Sequence, residues 1–204
     1  MKELTKEEER ANYYKFLSEC FYLPDNKQFK TLNNYKNVIG SRYSEFSEYL
    51  DPLQDIKPIM IDYTKLFIGP FGLLAAPYGS IYLENGEMLM GNSTINVLDL
   101  YAEEGIKVDI KEVPDHIAIE LEFMSLLAFK ELEAKRAIDN NSIEIYHQKQ
   151  QHFLNIHLGC WIEEFTEKLE KNAQTEFYRK LAQLTRDFII HDKANLLNKN
   201  YLKI

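Results

Sequence analysis

The 204-residue chain is 45% hydrophobic and 27% charged, a size and balance that suit one domain with a single buried core. Its twenty-five leucines against four valines favour helix over sheet, because leucine loses little rotamer freedom in a helix. The net charge of −8 argues against nucleic acid as a partner, since phosphates attract basic surfaces. We therefore predict one all-α helical bundle over residues 1–204.

Cysteine usage and the first residues indicate the compartment. Two cysteines, far apart in the chain, cannot form a disulfide framework, which favours a reducing environment. Residues 1–10 are crowded with charge and lack the unbroken apolar run of a secretory signal. We expect a cytoplasmic protein without stable membrane insertion.

The N-terminal part predicts one well-defined helix followed by irregular short ones. Thr5 and Glu8 have the spacing of a capping box, and apolar residues then recur at helical spacing until Pro24 stops the helix. Between residues 25 and 50 the pattern predicts only small helices, interrupted by turn-forming residues.

A long Gly/Pro-containing connector is predicted over residues 69–105, which hold six of the eight glycines. A helix opened by Pro58 should end where the connector begins. Residues 66–83 carry no charge over 18 positions, but their glycines and prolines exclude a continuous membrane-spanning helix. Asn92 or Ser93 can cap a helix inside the connector that stops near its last glycine.

Three long helices are predicted in the C-terminal half. Pro114 suits the first turn of a helix whose apolar stripe has five residues at helical spacing. That stripe consists of Ile117, Leu121, Met124, Ala128 and Leu132. Two further helices are predicted over about residues 142–171 and 175–197, with both cysteines and Trp161 buried in the core.

Acidic residues are concentrated in residues 84–122, which contain ten aspartates and glutamates against two lysines. The rest of the chain is electrically neutral. An acidic stretch beside an uncharged connector suits a partner that combines positive charge with an apolar portion. A solvated face of the fold is the commoner explanation of such a stretch, and both explanations stay open here.

The apolar side chains of the connector raise a related question. The aromatic and aliphatic residues between 67 and 82 would form a sticky patch if all of them were exposed. Burial between two helical layers explains them, and so does binding of an extended peptide to a Gly/Pro-rich backbone. The sequence does not separate these two explanations.

Four polar residues gather near the start of the helix that follows Pro114. Glu112, Asp115 and His116 are close in sequence, and Glu120 lies one turn beyond His116 on the same helix face. They could hold a metal or act as acid and base, but no second Glu-x-x-His sequence and no nucleophile motif accompanies them. We favour a structural interpretation, in which Asp115 stabilises the amides at the helix start and His116 packs at its boundary. No metal and no cofactor is predicted; the alternative is a small helical metallo-hydrolase using these four residues.

Several short motifs follow one another in a fixed order between residues 63 and 161. They are YTKLFIGP at 63–70, PYGSIY at 77–82, MGNST at 90–94, EVPDHIAIELEFM at 112–124 and HLGCW at 157–161. Each motif is weak alone, but their order is specific. Together they resemble the TorD/DmsD-type cytoplasmic chaperones of molybdenum enzymes, also called redox enzyme maturation proteins.

The resemblance implies an all-helical protein that is not an enzyme. It implies a chaperone that binds the twin-arginine signal peptide and the apo form of a molybdopterin oxidoreductase, and that assists cofactor insertion and proofreading before export. The positions that match the family's peptide-binding positions are Leu66, Phe67, Pro77, Tyr78, Gly91, Asp115 and His116. Tyr78 stands where some relatives have tryptophan, and Val113 where proline is commoner, which affects peptide choice and loop shape.

The residues and the resemblance combine into one hypothesis about binding. A twin-arginine signal presents two guanidinium groups and then an apolar stretch, which suits an acidic segment beside an apolar connector. We expect Glu112 and Asp115 to receive the arginines and His116 to fix their orientation. The residues expected to contact the apolar stretch are Leu66, Phe67, Pro77 and Tyr78.

Two points of organisation stay open at this stage. A plain adaptor for a folded partner is a third interpretation, and such an adaptor would bind a mature reductase even without its signal peptide. The long connector permits either a monomer or a domain-swapped dimer.

Overall fold

The computed structural model describes residues 5–37, 39, 46–50, 55–69, 72–84, 89–107 and 113–198. No strand occurs within these ranges, so the prediction of an all-α fold is confirmed. The α-helices are α1 (Lys6–Cys20), α2 (Asn26–Asn34), α3 (Lys57–Tyr63), α4 (Gly79–Leu83), α5 (Asn92–Glu103), α6 (Ile117–Ala137), α7 (Asn140–Ile156), α8 (Leu158–Asn172) and α9 (Glu176–Asn198). None of these helices is both long enough and apolar enough to cross a bilayer.

The first helix begins as its sequence predicts. Thr5 Oγ1 accepts a hydrogen bond from the Glu8 amide at 3.2 Å, and the Glu8 carboxylate accepts one from the Thr5 amide at 2.7 Å. These reciprocal bonds satisfy two amides that the helix itself leaves unpaired, which confirms the capping box. The helix ends at Cys20, a few residues before Pro24.

Helix α6 lies at the centre of the bundle. It packs against α1 on one side and α7 on the other, and α8 packs against α9. All five residues of the predicted apolar stripe of α6 are buried, as expected for a helix that supplies a core face. Trp161 and Cys20 are buried as predicted, but Cys160 is exposed, so that part of the prediction is wrong.

The prediction of one helix over residues 142–171 is wrong, because the helical conformation is interrupted at His157, between α7 and α8. His157 has φ −126° and ψ −111°, and its Nε2 lies 2.7 Å from Asn96 Oδ1 on α5. A Cβ at Gly159 would lie 2.3 Å from the Leu154 carbonyl oxygen, so only glycine fits in the turn between these two helices. The final predicted helix is confirmed as α9.

Helix α5 begins differently from the prediction. Its N-cap is Gly91, so capping by Asn92 or Ser93 is wrong. The carboxylate of Glu84 instead accepts from the amide of Ser93 at 2.7 Å and from its hydroxyl at 2.6 Å. A side chain reaching across from α4 thus stabilises the free amides of the helix start.

The first and last helices are joined by a largely buried ionic contact. Arg10 on α1 donates from Nε and a terminal nitrogen to the two carboxylate oxygens of Asp192 on α9, at 2.5 and 2.7 Å. The Tyr14 hydroxyl donates to the same carboxylate at 2.6 Å. Such a bidentate pair is specific in geometry, and the tyrosine satisfies a further acceptor position of the carboxylate.

Candidate functional site

Residues 77–80, called the crossing segment below, run across the N-terminal end of α6. The Gly79 amide donates to the Asp115 carbonyl at 2.9 Å, and the Ile117 amide donates to the Pro77 carbonyl at 2.8 Å. This short antiparallel bridge places Tyr78 directly opposite His116. Two motifs that lie more than thirty residues apart in the sequence are therefore brought together by backbone hydrogen bonds.

The Asp115 side chain binds the backbone of the crossing segment. Its side chain is buried, with the residue 1% exposed, and Oδ2 accepts from the Ser80 amide at 2.6 Å. The prediction that Asp115 stabilises the start of α6 is wrong, because its carboxylate serves the short helix α4 instead. Its other oxygen, Oδ1, is buried and has no hydrogen-bond partner within the described part of the chain.

His116 is the residue that caps α6. Its Nδ1 accepts a hydrogen bond from the Ala118 amide at 3.2 Å, which requires the lone pair of a ring nitrogen. Pro114 lies in the turn before the cap and not in the first turn, so that prediction is also wrong. Burial lowers the pKa of His116 to about 4, so the imidazole is neutral at pH 7.

Two tyrosines flank the His116 ring. Tyr22, just after α1, stacks on it with centroids 6.5 Å apart, and Tyr78 meets it edge-on at 5.4 Å. Both tyrosines are partly exposed, whereas His116 is buried between them. Tyr22 is a site residue that the sequence did not reveal, since nothing but its aromatic character after the end of α1 marks it.

A buried carboxyl group lies behind the crossing segment. Glu120, on the first turns of α6, is 0% exposed, and its Oε2 accepts from the Trp161 indole N–H at 3.0 Å. Burial raises the pKa of Glu120 well above its usual range, and the nearby Asp115 raises it further, while the indole bond opposes the shift. Burial therefore favours the neutral, protonated form of Glu120 more than it would for an exposed glutamate.

Trp161 connects this carboxyl group to the connector. Its ring stacks on Tyr82 of α4 with centroids 5.5 Å apart and an interplanar angle of 15°. The Tyr82 hydroxyl donates to the Ala76 carbonyl at 2.8 Å. The residues on both sides of the crossing segment are thus held against α8 by an aromatic contact and a hydrogen bond.

The predicted peptide-binding residues fall into distinct places. Pro77, Tyr78, Asp115 and His116 meet at the bridge, whereas Leu66 and Phe67 lie in a π-turn (Thr64–Ile68) within the core. Gly91 is the buried N-cap of α5. Glu112 lies outside the described residues. Tyr78 is the one partly exposed member of the seven that the structure describes.

The apolar residues between 67 and 82 are divided between the core and the surface. The Phe67 ring packs against Phe21, Tyr63 and Tyr178 in the core. Leu73 and Leu74, by contrast, are exposed. The connector therefore contributes to the core and also leaves apolar surface in contact with water.

The arrangement offers little to a metal ion. Across the described ranges, no three His, Cys, Asp or Glu side chains come close enough together to hold one. His116 and Glu120, two of the four residues proposed for the hydrolase alternative, accept hydrogen bonds from a backbone amide and an indole. The hydrolase alternative gains no support from this geometry.

The whole fold has a counterpart among solved structures. The crystal structure of a protein assigned as a redox enzyme maturation protein from Archaeoglobus fulgidus aligns with a TM-score of 0.64. The alignment covers 93% of this chain and 97% of the other, at 24% identity. The chain therefore shares the all-helical fold of that structure.

Sequence comparison identifies the family. The family model described as the nitrate reductase delta subunit matches residues 35–167. The TorD chaperone of Vibrio parahaemolyticus is 30% identical over 68% of this chain and 64% of its own, and that of Vibrio cholerae is 26% identical over 91% of both. The Tat proofreading chaperone DmsD of Salmonella typhimurium is 31% identical over 65% of this chain and 59% of its own. The chain belongs to the nitrate reductase delta subunit family, which includes these TorD and DmsD chaperones.

Proposed function

We propose that this chain is a system-specific cytoplasmic chaperone and not an enzyme. It binds the twin-arginine signal peptide and the apo form of a molybdopterin oxidoreductase, assists cofactor insertion and proofreads the client before export. The observation that carries this proposal is the family membership, with relatives named as TorD chaperones and as a Tat proofreading chaperone. The bridge between two of the resembling motifs supports it, because it gives them a common place in the fold.

The peptide-binding residues have different roles in this proposal. Tyr78 contacts the peptide directly, because its ring is partly exposed at the bridge. The buried residues shape the surface from below: His116 orients Tyr78, and Pro77 accepts the bridging hydrogen bond. The other residues that we assign to peptide binding are Leu66, Phe67, Gly91, Glu112 and Asp115.

The burial of Asp115 changes how its charge acts. The carboxylate accepts from the Ser80 amide and attracts an arginine from beneath the surface, through a low-dielectric layer that weakens the field less than water does. The arginine makes its direct contacts with exposed acids, such as Glu122. In the structure, Glu122 pairs with Lys15 at 2.7 Å and lies beside the Tyr22 hydroxyl. An arginine can replace that lysine and stack on the tyrosine ring.

Calorimetric titration with a panel of twin-arginine signal peptides from molybdopterin oxidoreductases tests the function. We expect at least one peptide to bind, and the same peptide with its two arginines changed to lysine to bind more weakly, because guanidinium groups form bidentate bonds. Absence of binding across the panel would refute the proposal. Undiminished binding of an apo-oxidoreductase that lacks its signal peptide would favour the adaptor interpretation.

The direct role of Tyr78 is tested by Tyr78→Ala. We expect peptide affinity to fall about tenfold, a typical loss for an aromatic residue that anchors an interface. Tyr146→Ala is the matched control, since this partly exposed tyrosine lies on α7 and contacts Lys130. Equal affinities of the two variants would show that the peptide does not use the bridge surface.

The role of the Asp115 charge is tested by Asp115→Asn, which keeps an oxygen to accept from the Ser80 amide. If the charge attracts the arginines, affinity falls at low salt and its dependence on salt becomes weaker. Glu112→Gln tests the second acid in the same way. Unchanged affinity in both variants would remove these two acids from arginine recognition.

A further inference from the structure

The carboxyl group of Glu120 touches the crossing segment from behind. A Cβ built on Gly79 would lie 3.2 Å from Glu120 Oε1 and 3.0 Å from Trp161 Nε1. The glycine therefore lets the backbone of the crossing segment lie directly on the hydrogen-bonded pair formed by α6 and α8. The position of Tyr78, one residue earlier, depends on this contact.

Burying the carboxyl group of Glu120 behind the crossing segment is energetically unfavourable. Burying a polar group without a full set of partners is unfavourable, and Glu120 Oε1 has no hydrogen-bond partner in the described part of the chain. An apolar side chain would avoid that cost but would leave the buried indole N–H of Trp161 without an acceptor. The pair fixes the spacing of α6 and α8 at the place where the backbone of the crossing segment lies on it.

We propose that Glu120 is a positioning residue for peptide binding, which, with Trp161, holds the crossing segment so that Tyr78 faces its ligand. This inference rests on the proposed function, because it concerns the surface on which the peptide binds. Glu120 lies beneath that surface and does not touch the peptide. Its part is to provide the hydrogen-bond acceptor and the flat support on which Gly79 lies.

Two variants of Glu120 separate the acceptor from the rest of the side chain. Glu120→Gln keeps an oxygen that can accept from the indole, so we expect peptide affinity within about twofold of the wild type. Glu120→Leu removes the acceptor at similar volume, and we expect affinity to fall about tenfold at a temperature where the protein is folded. Ile189→Val, a change in the buried part of α9, controls for destabilisation alone and should leave affinity unchanged.

Trp161 is the single tryptophan of the chain, so all tryptophan fluorescence comes from the indole that Glu120 contacts. Loss of the hydrogen-bond acceptor leaves the excited indole less stabilised, so emission in Glu120→Leu should move to shorter wavelength, while Glu120→Gln should resemble the wild type. Unchanged emission in Glu120→Leu would show that the contact is absent. Changed emission with unchanged affinity would overturn the positioning role.

Gly79→Ala tests the contact between the crossing segment and Glu120 from the side of the crossing segment. It replaces Glu120→Leu as the test if that variant does not fold. Its methyl group would push the crossing segment away from the Glu120–Trp161 pair, so affinity should fall by a similar factor. Full affinity in Gly79→Ala would overturn the inference. A wild-type chain that binds no peptide would instead overturn the proposed function, so the two failures are distinguishable.

Discussion

The buried acid of Glu120 makes a specific prediction about stability and pH. In the unfolded chain this carboxyl group loses its proton above its usual pKa of about 4.5, whereas in the folded protein burial keeps the proton bound. Above that pH the folded state therefore binds up to one more proton than the unfolded state. By linkage, this group lowers the free energy of unfolding as the pH rises, by at most about 1.4 kcal/mol for each pH unit.

Glu120→Gln removes this dependence, because an amide does not titrate. Between pH 5 and pH 7 we expect the wild type to lose stability relative to the variant, because the unfolded chain releases the Glu120 proton in this range more readily than the folded protein does. Asp115 and Tyr101, the titratable groups that interact with Glu120, are present in both proteins.

His116 and His157 act in the opposite direction. Burial lowers the pKa of each to about 4, so the unfolded chain takes up their protons first as the pH falls below 6.5, and acid destabilises the fold through them. The difference in the free energy of unfolding between wild type and Glu120→Gln at each pH removes the contribution of these histidines to first order, because both proteins contain both histidines.

Urea denaturation followed by far-UV circular dichroism at pH 5, 6 and 7 measures these differences. Glu133→Gln, an exposed change on the same helix, corrects for the general effect of losing a carboxyl group from α6. If the free energy of unfolding changes with pH in the same way in wild type and in Glu120→Gln, the reasoning is refuted, since folding then does not change the protonation of Glu120.

Three further predictions concern the backbone and can be measured by the same urea method. Ile138 ends α6 in the left-handed region with φ 58° while 81% exposed, so Ile138→Gly should add about 1 kcal/mol of stability, and no gain would show that isoleucine is not strained there. Thr5→Ala should cost about 1 kcal/mol by removing the capping box of α1; an unchanged midpoint would mean that this end frays already. Gly105→Ala should cost about 1 kcal/mol from its φ of +76° alone, because the space around it is open, and a neutral result would contradict the backbone explanation.

The features that the sequence predicted correctly are local ones. The capping box of α1 needs two residues three positions apart, and the buried stripe of α6 needs only a helical period. The all-α fold class follows from leucine content and the shortage of β-branched valine. Each of these signals lies within one segment, so no knowledge of the tertiary structure is needed to read it.

The features that the sequence did not predict depend on distant contacts. Helix α4 has only five residues, and it is stabilised by Asp115, which lies 35 positions away from Ser80. The break at His157 lacks a proline, and the apolar spacing continues through it. Glu120 shares a helix face with His116, which indicated a possible ligand pair, but only the packing of α8 shows that it accepts from Trp161.

The ionic contact between Arg10 and Asp192 has a consequence for how the molecule is made. A ribosome synthesises α1 well before α9, so the Asp192 carboxylate that completes the surroundings of Arg10 emerges only after helices α2 to α8. Until then the guanidinium cannot leave water without a counter-charge, which keeps the docking of α1 incomplete. Final closure of this bundle therefore waits for the synthesis of α9, and in a nascent chain stalled before residue 192 proteases should cleave within α1.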